Sequence, residues 1–149
     1  MISPECLRRY HCFVPISAET LKALAMIGEE VRVPAGTRLI GEGEPIKVFR
    51  IISEGEVDIQ YLLSTGELRS VDTLGPCDIV DWPALVEPYK ATAYATTTAD
   101  TRLLQFDAAK LRGLCEYDPL LGYRLTSQVA KLLSDRLENA RTQLVVVEP

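Results

Sequence analysis

Apolar and polar positions along this chain change period twice, and the changes divide it into three stretches. From Ser17 to Gly28, the run SAETLKALAMIG places Leu21, Leu24 and Ala25 on one face at helical spacing. Ser17, preceded by Ile16, is a natural N-cap and Gly28 a natural C-cap, so a short amphipathic helix is expected. Residues 1–15 are of mixed polarity, with Tyr10 and Phe13 expected to dock on the body of the domain. From Val31 the period becomes two. Val31–Val33, Leu39–Ile40, Val48–Ile52, Val57–Tyr61 and Leu68–Leu74 read as short strands separated by glycine-bearing turns roughly every ten residues. Gly36, Gly43, Gly55, Gly66 and Gly75 punctuate them and read as positive-φ turn residues. Tyr94–Phe106 resumes the strand pattern. Such spacing leaves no room for crossover helices, so an antiparallel barrel or sandwich is expected and a βαβ fold is not.

The helical period returns after Phe106. Asp107 is an N-cap for a helix over Ala108–Cys115 that buries Leu111 and Leu114. Asp118-Pro119 starts a second, long helix over 119–143, about 25 residues or about 38 Å. Leu121, Leu125, Val129, Leu132, Leu133, Leu137, Ala140 and Leu144 form its apolar stripe. Its first half can cover the sheet, while its second half extends beyond a domain of this size. The stripe from Leu125 through Val129, Leu132, Leu133, Leu137 and Ala140 is therefore expected to form a helix–helix homodimer, the alternative being that the helix folds back along its own domain.

Composition narrows the class. A chain of 149 residues that is 47% hydrophobic and 25% charged is one ordered globular domain over 1–149, with its strands over about 30–106 and its helical C-terminal part over about 108–143. The net charge of −5 argues against a phosphate-tracking nucleic-acid surface. Cys6, Cys12, Cys77 and Cys115 form no CxxC pair, and although Cys6 and Cys12 flank His11, no second cluster completes a metal site. Unpatterned cysteines fit a reducing cytoplasm. Charges at Glu5, Arg8, Arg9, Glu19 and Lys22 argue against a signal peptide or a membrane span near the start.

Candidate chemistry concentrates in Leu74–Ala95, LGPCDIVDWPALVEPYKATAYA, where a Gly/Pro turn and a helix-forming segment interrupt two strands. Such an interruption can expose unpaired backbone N–H groups and line a concave site. Four pieces in order, PAGTRLIGEGEP at 34–45, VFRIISEGEVDI at 48–59, TLGPCDIV at 73–80 and ATAYATTTADTRLLQFD at 91–107, followed by a long helix, resemble the cyclic nucleotide-binding domain of bacterial catabolite activators and kinase regulatory subunits. The resemblance covers about residues 13–140. It implies an eight-stranded antiparallel β-roll, jelly-roll-like, with N-terminal helices and a long C-terminal helix that mediates dimerisation. It also implies a phosphate-binding cassette between the sixth and seventh strands.

In binding members of that family a glycine and a glutamate open the cassette and an arginine closes it. The glutamate takes the ribose hydroxyl and the arginine the cyclic phosphate. Here Val80, Asp81 and Trp82 fall at the Phe-Gly-Glu places, Ala84 and Leu85 keep the small and apolar places, and Tyr89 falls at the arginine with Lys90 beside it. Gly75, Ala91 and Thr92 complete the frame, and the segment is shorter than in binding members. Asp81 puts a carboxylate where an anion seeks N–H groups. Trp82 offers only an indole donor, and Tyr89 lacks the guanidinium fork. Asp81 also reads as an N-cap with Pro83 following, Trp82 as a plug or a stacking platform, and Lys90 as solvated, as paired with Asp81 or Glu87, or as the cation for an anion.

No catalytic constellation or nucleotide-triphosphate fingerprint is present, so an enzyme is not expected. The resemblance implies a regulatory sensor whose ligand is a cyclic nucleotide or another small anion, relayed through the C-terminal helix dimer, with a separate protein effector as partner. The alternative is a ligand-independent dimeric adaptor that keeps only the fold. With no winged helix-turn-helix after the long helix, direct DNA binding is not expected.

Overall fold

The computed structural model describes residues 1–147. Helix α1 (Pro4–Leu7) and a 3₁₀ turn at His11–Phe13 lead into α2 (Ala18–Met26). Ser17 caps α2, its hydroxyl accepting the Thr20 N–H at 3.2 Å. Gly28 is not a left-handed cap: it opens the first strand, and a Cβ there would lie 2.6 Å from Phe106 Cε1 and 2.7 Å from Ile2 Cδ1. Close packing is what requires glycine at that position.

Seven strands follow: β1 (Gly28–Val33), β2 (Arg38–Ile40), β3 (Val48–Glu54), β4 (Val57–Leu62), β5 (Leu68–Leu74), β6 (Tyr94–Thr97) and β7 (Thr101–Asp107). They form two antiparallel sheets, ordered β1-β7-β3 and β2-β6-β4-β5. The expected eight-stranded roll is therefore corrected to two open sheets of three and four strands. The stretches that could have extended them make only single bridges, Pro45 with Lys90 and Ile51 with Ile79. Pro45 has no N–H to donate to a ladder, and the chain after Ile79 turns at once into a 3₁₀ turn, Trp82–Leu85.

Burial explains why the strands around β3 and β7 read as continuous apolar runs. Successive side chains point to opposite faces of a sheet, and both faces of this one are covered. Ile51 and Leu104 enter the main core, with Phe13, Leu24, Phe49 and Phe106. Their neighbours Ile52 and Leu103 enter a second cluster with Val57, Ile59, Leu74, Val80 and Ala95, between the two sheets.

Two helices follow among the described residues, α3 (Ala108–Tyr117) and α4 (Pro119–Val147). Asp107 caps α3 by accepting the Lys110 N–H at 2.8 Å. At the corner, Asp118 accepts the Leu120 N–H at 3.1 Å and the Thr20 hydroxyl at 2.7 Å, tying α4 back to α2. Leu121, Leu125 and Val129 are buried in the main core, whereas Leu137 and Leu144 are exposed. No helix among the described residues is long and apolar enough to cross a membrane.

Four of the five punctuating glycines have positive φ: Gly36, Gly43, Gly55 and Gly66. Gly75 does not, and its N–H is held by the Asp78 carboxylate at 2.8 Å. Gly55, at φ 110°, also lies where a Cβ would come 2.6 Å from Thr101 Cα, while Gly66, at φ 89°, has open space. Gly66→Ala is expected to lower stability by about 1 kcal/mol through backbone strain alone. Gly55→Ala adds overpacking and is expected to cost about 3 kcal/mol. Urea denaturation of both variants checks this; equal losses would refute the close-approach reading.

Candidate functional site

The segment leaving β5 is laid along β3 by backbone hydrogen bonds. Cys77 N–H donates to Ile52 O at 2.8 Å, Ile52 N–H to Asp78 O at 3.0 Å, and Val80 N–H to Arg50 O at 2.9 Å. This registration brings Asp81 beside Arg50. The Arg50 guanidinium meets the Asp81 carboxylate side-on, Nε to Oδ2 at 2.7 Å and Nη2 to Oδ1 at 2.8 Å, with both residues buried. Burial pushes the Asp81 carboxyl above its ordinary range, while the Arg50 hydrogen bonds and charge act against that rise.

Asp81 does occupy the N-cap position of the Trp82–Leu85 turn, where its carbonyl accepts the Ala84 N–H at 3.0 Å. Its side chain, however, makes no cap bond because Arg50 takes both oxygens. Nor does Lys90 pair with it: among the described residues Lys90 forms no ion pair, and its backbone bridges to Pro45.

Asp81, Trp82, Ala91 and Thr92 come together around a cavity of about 20 Å³, lined also by Tyr94, by Ile40 and Ile59, and by Arg136 from α4. The remaining cassette positions lie elsewhere. Ala84 is fully buried in the main core with Leu85 packed against it, and Gly75 sits back at the turn after β5. Tyr89, at φ 60°, turns its ring away from the cavity to stack under the Arg112 guanidinium at 4.0 Å. Arg112 also donates to Ala84 O at 2.8 Å, so one side chain of α3 holds both ends of the cassette.

Three arginines that sequence reasoning passed over therefore organise the site. Arg50 carried a signal, being the single charge within the apolar run Val48–Ile52, where a buried guanidinium demands a buried partner. Arg136 falls seven residues after Val129 and so continues the stripe of α4 onto the same face. Arg112 had no such signal. Its partners are a backbone carbonyl and a ring more than twenty residues away in sequence.

Of the stripe residues, Leu125 and Val129 belong to the main core, Leu132 and Leu133 are half-buried, and Leu137 and Ala140 are exposed. The four cysteines are free; burial pushes the Cys12 and Cys115 thiols up to about 11, which keeps them protonated near neutrality. Among the described residues no group of three His, Cys, Asp or Glu side chains comes together to hold a metal ion.

Removing one member of a buried ion pair leaves the other uncompensated. Asp81→Ala is expected to cost about 3–5 kcal/mol, and the paired change Arg50→Met with Asp81→Leu far less. Chemical denaturation compares them; a single variant no less stable than the double variant would show that the charges are not coupled.

The model of the cyclic nucleotide-binding domain matches residues 30–118. A protein from Geobacter metallireducens GS-15, provisionally described as cyclic nucleotide-binding, has a solved structure that is 32% identical, with a TM-score of 0.80 over 92% of this chain and 99% of that one. The sensor domain of the transcriptional regulator DNR from Pseudomonas aeruginosa shares the fold, with a TM-score of 0.74 at 19% identity over 90% of each chain. The Pycsar effector protein XpPycTIR of Xanthomonas perforans is 27% identical over 127 residues, 85% of this chain. The chain spans 40% of the length of that curated relative. It belongs to the cyclic nucleotide-binding domain family.

Proposed function

We propose that this domain senses a small anionic, nucleotide-like ligand through contacts other than the family's glutamate and arginine, and relays occupancy along α4 to a second copy of the chain. The observation that carries this reading is that one helix takes part at both places. Arg136 of α4 lines the cassette cavity, and the adjoining Leu137 is exposed one residue on. Leu133, Leu137 and Ala140 border an apolar groove of about 490 Å³ against Tyr61, Leu63 and Val71 of the β4–β5 hairpin. That groove supports a dimer built on the second half of the helix, its first half being committed to the core.

Likeness to part of a Pycsar effector protein supports an output carried by a protein beyond this domain. The four free cysteines fit a cytoplasmic setting. The acidic balance of the chain favours a protein as the downstream partner over DNA.

A second reading, a ligand-independent dimeric adaptor, is favoured by the small cavity and by the internal Arg50 partner of Asp81. Trp82, the single tryptophan, borders the cavity and separates the two. Titration of its fluorescence with cAMP, cGMP, c-di-GMP and unrelated metabolites, checked by calorimetry, is expected to show saturable binding of at least one nucleotide. No response and no thermal shift across the panel would leave the adaptor. For the dimer, Leu133→Asp with Leu137→Asp is expected to give monomers in sedimentation. A wild-type chain that is already monomeric would refute the relay.

A further inference from the structure

Two arginine–carboxylate pairs flank the cassette, and they differ in kind. Arg50 and Asp81 use two nitrogens and two oxygens at 2.7 and 2.8 Å. Arg136 instead places both Nε and Nη2 at 3.3 Å from a single oxygen, Oδ2 of Asp72 on β5. The first is a saturated fork. The second is long, shares one acceptor and leaves the planar donor edge of the guanidinium under-used. Arg136 is nevertheless withdrawn from solvent, with its side chain 15% exposed, so its charge is held close to the cavity and not released to bulk water.

The lining of the cavity contains one other charged group, Asp81, already neutralised by Arg50. Lys90 and Tyr89 lie outside the lining, and Arg38, which stacks on Tyr94 at 4.9 Å, does so from outside it. Arg136 is therefore the single cation of the cavity wall. Trp82, Tyr94, Thr92 and small alanines line the cavity with it, residue types suited to a flat ring with one hydrogen-bonding edge. At about 20 Å³ the cavity as it stands admits a group no larger than a water, so a larger ligand requires its lining, Arg136 of α4 included, to move apart.

We propose that Arg136 receives the anionic group of the ligand, a phosphate ester, and that Asp72 holds the guanidinium in reserve until the ligand takes its place. This deepens the sensor reading and rests on it. The anion is then received from the α4 side of the cavity, and not by the cassette. Exchange of one carboxylate oxygen for two phosphate oxygens completes the fork and releases α4 from β5 in the same step.

The test uses the full chain and begins without a nucleotide. Quenching of Trp82 by iodide, an anion, is compared with quenching by neutral acrylamide. Asp72→Asn frees Arg136, and iodide quenching is expected to rise about twofold relative to acrylamide. Arg136→Gln is expected to lower it, and the double variant to behave as Arg136→Gln. Parallel changes with both quenchers, or a double variant that behaves as Asp72→Asn, would overturn the assignment.

The second arm titrates the 3′,5′-cyclic monophosphates of adenosine, guanosine, cytidine and uridine. Any that binds the wild type is expected to bind about tenfold more weakly to Arg136→Gln and more tightly to Asp72→Asn. Undiminished binding by Arg136→Gln would overturn the proposal while leaving the sensor standing. No binding of any nucleotide, with the iodide pattern intact, would remove the cyclic-nucleotide sensor and leave the anion site.

Discussion

A charged pair sealed inside the protein fixes the path of the chain through the region that defines this fold. Arg50 and Asp81 are both withdrawn from water, and neither charge is tolerable there without the other. Their side-on geometry specifies direction as well as distance, so the backbone of Val80 and Asp81 has one way to lie on β3. Everything after it inherits that placement: the Trp82–Leu85 turn starts there, Ala84 drops into the core, and the chain returns to β6 along the cavity wall. A hydrophobic pair of similar volume could fill the same space but would not dictate the same approach.

That pair also accounts for what this cassette has become. A site that grips a phosphate needs donors without a resident acid. Here the acid is resident and its donor is internal, so the carboxylate and its guanidinium are satisfied by one another. The stacked Tyr89 and Arg112 act in the same sense, using a ring and a guanidinium to brace the loop against α3. Loop, strand and helix are thus held by arginines at three points, and two of those three are spent on structure.

Much of the architecture was legible because local rules and burial agree. Ser17 and Asp107 cap helices as their positions suggest, and alternation marked β4 and β5. The count and closure of the strands were not legible, since Ile79 and Pro45 look like strand residues and yet make one bridge each. Whether a short apolar segment joins a ladder depends on neighbours that the local sequence does not name. The site divides in the same way. Asp81 and Trp82 stood out by departing from a pattern, whereas the arginines around the site come from other elements, Arg50 lying 31 residues before its partner Asp81 and Arg136 lying 64 residues after its partner Asp72. Charges in apolar runs were the available clue, and Arg50 is the clearer instance.

Helix α4 is anchored over only part of its length. Leu121, Leu125 and Val129 are buried, and from Val129 to Val147 the axis runs on for about 27 Å. A rod clamped at one end multiplies small rotations: a tilt of roughly 10° about the anchored turns would carry the far end through about 5 Å. Arg136, held to Asp72 of β5, sits less than halfway along that length, so a displacement there reaches the tip enlarged. The helix is in this respect a lever, with Arg136 at the cavity on its short arm and the exposed end of α4 on its long one.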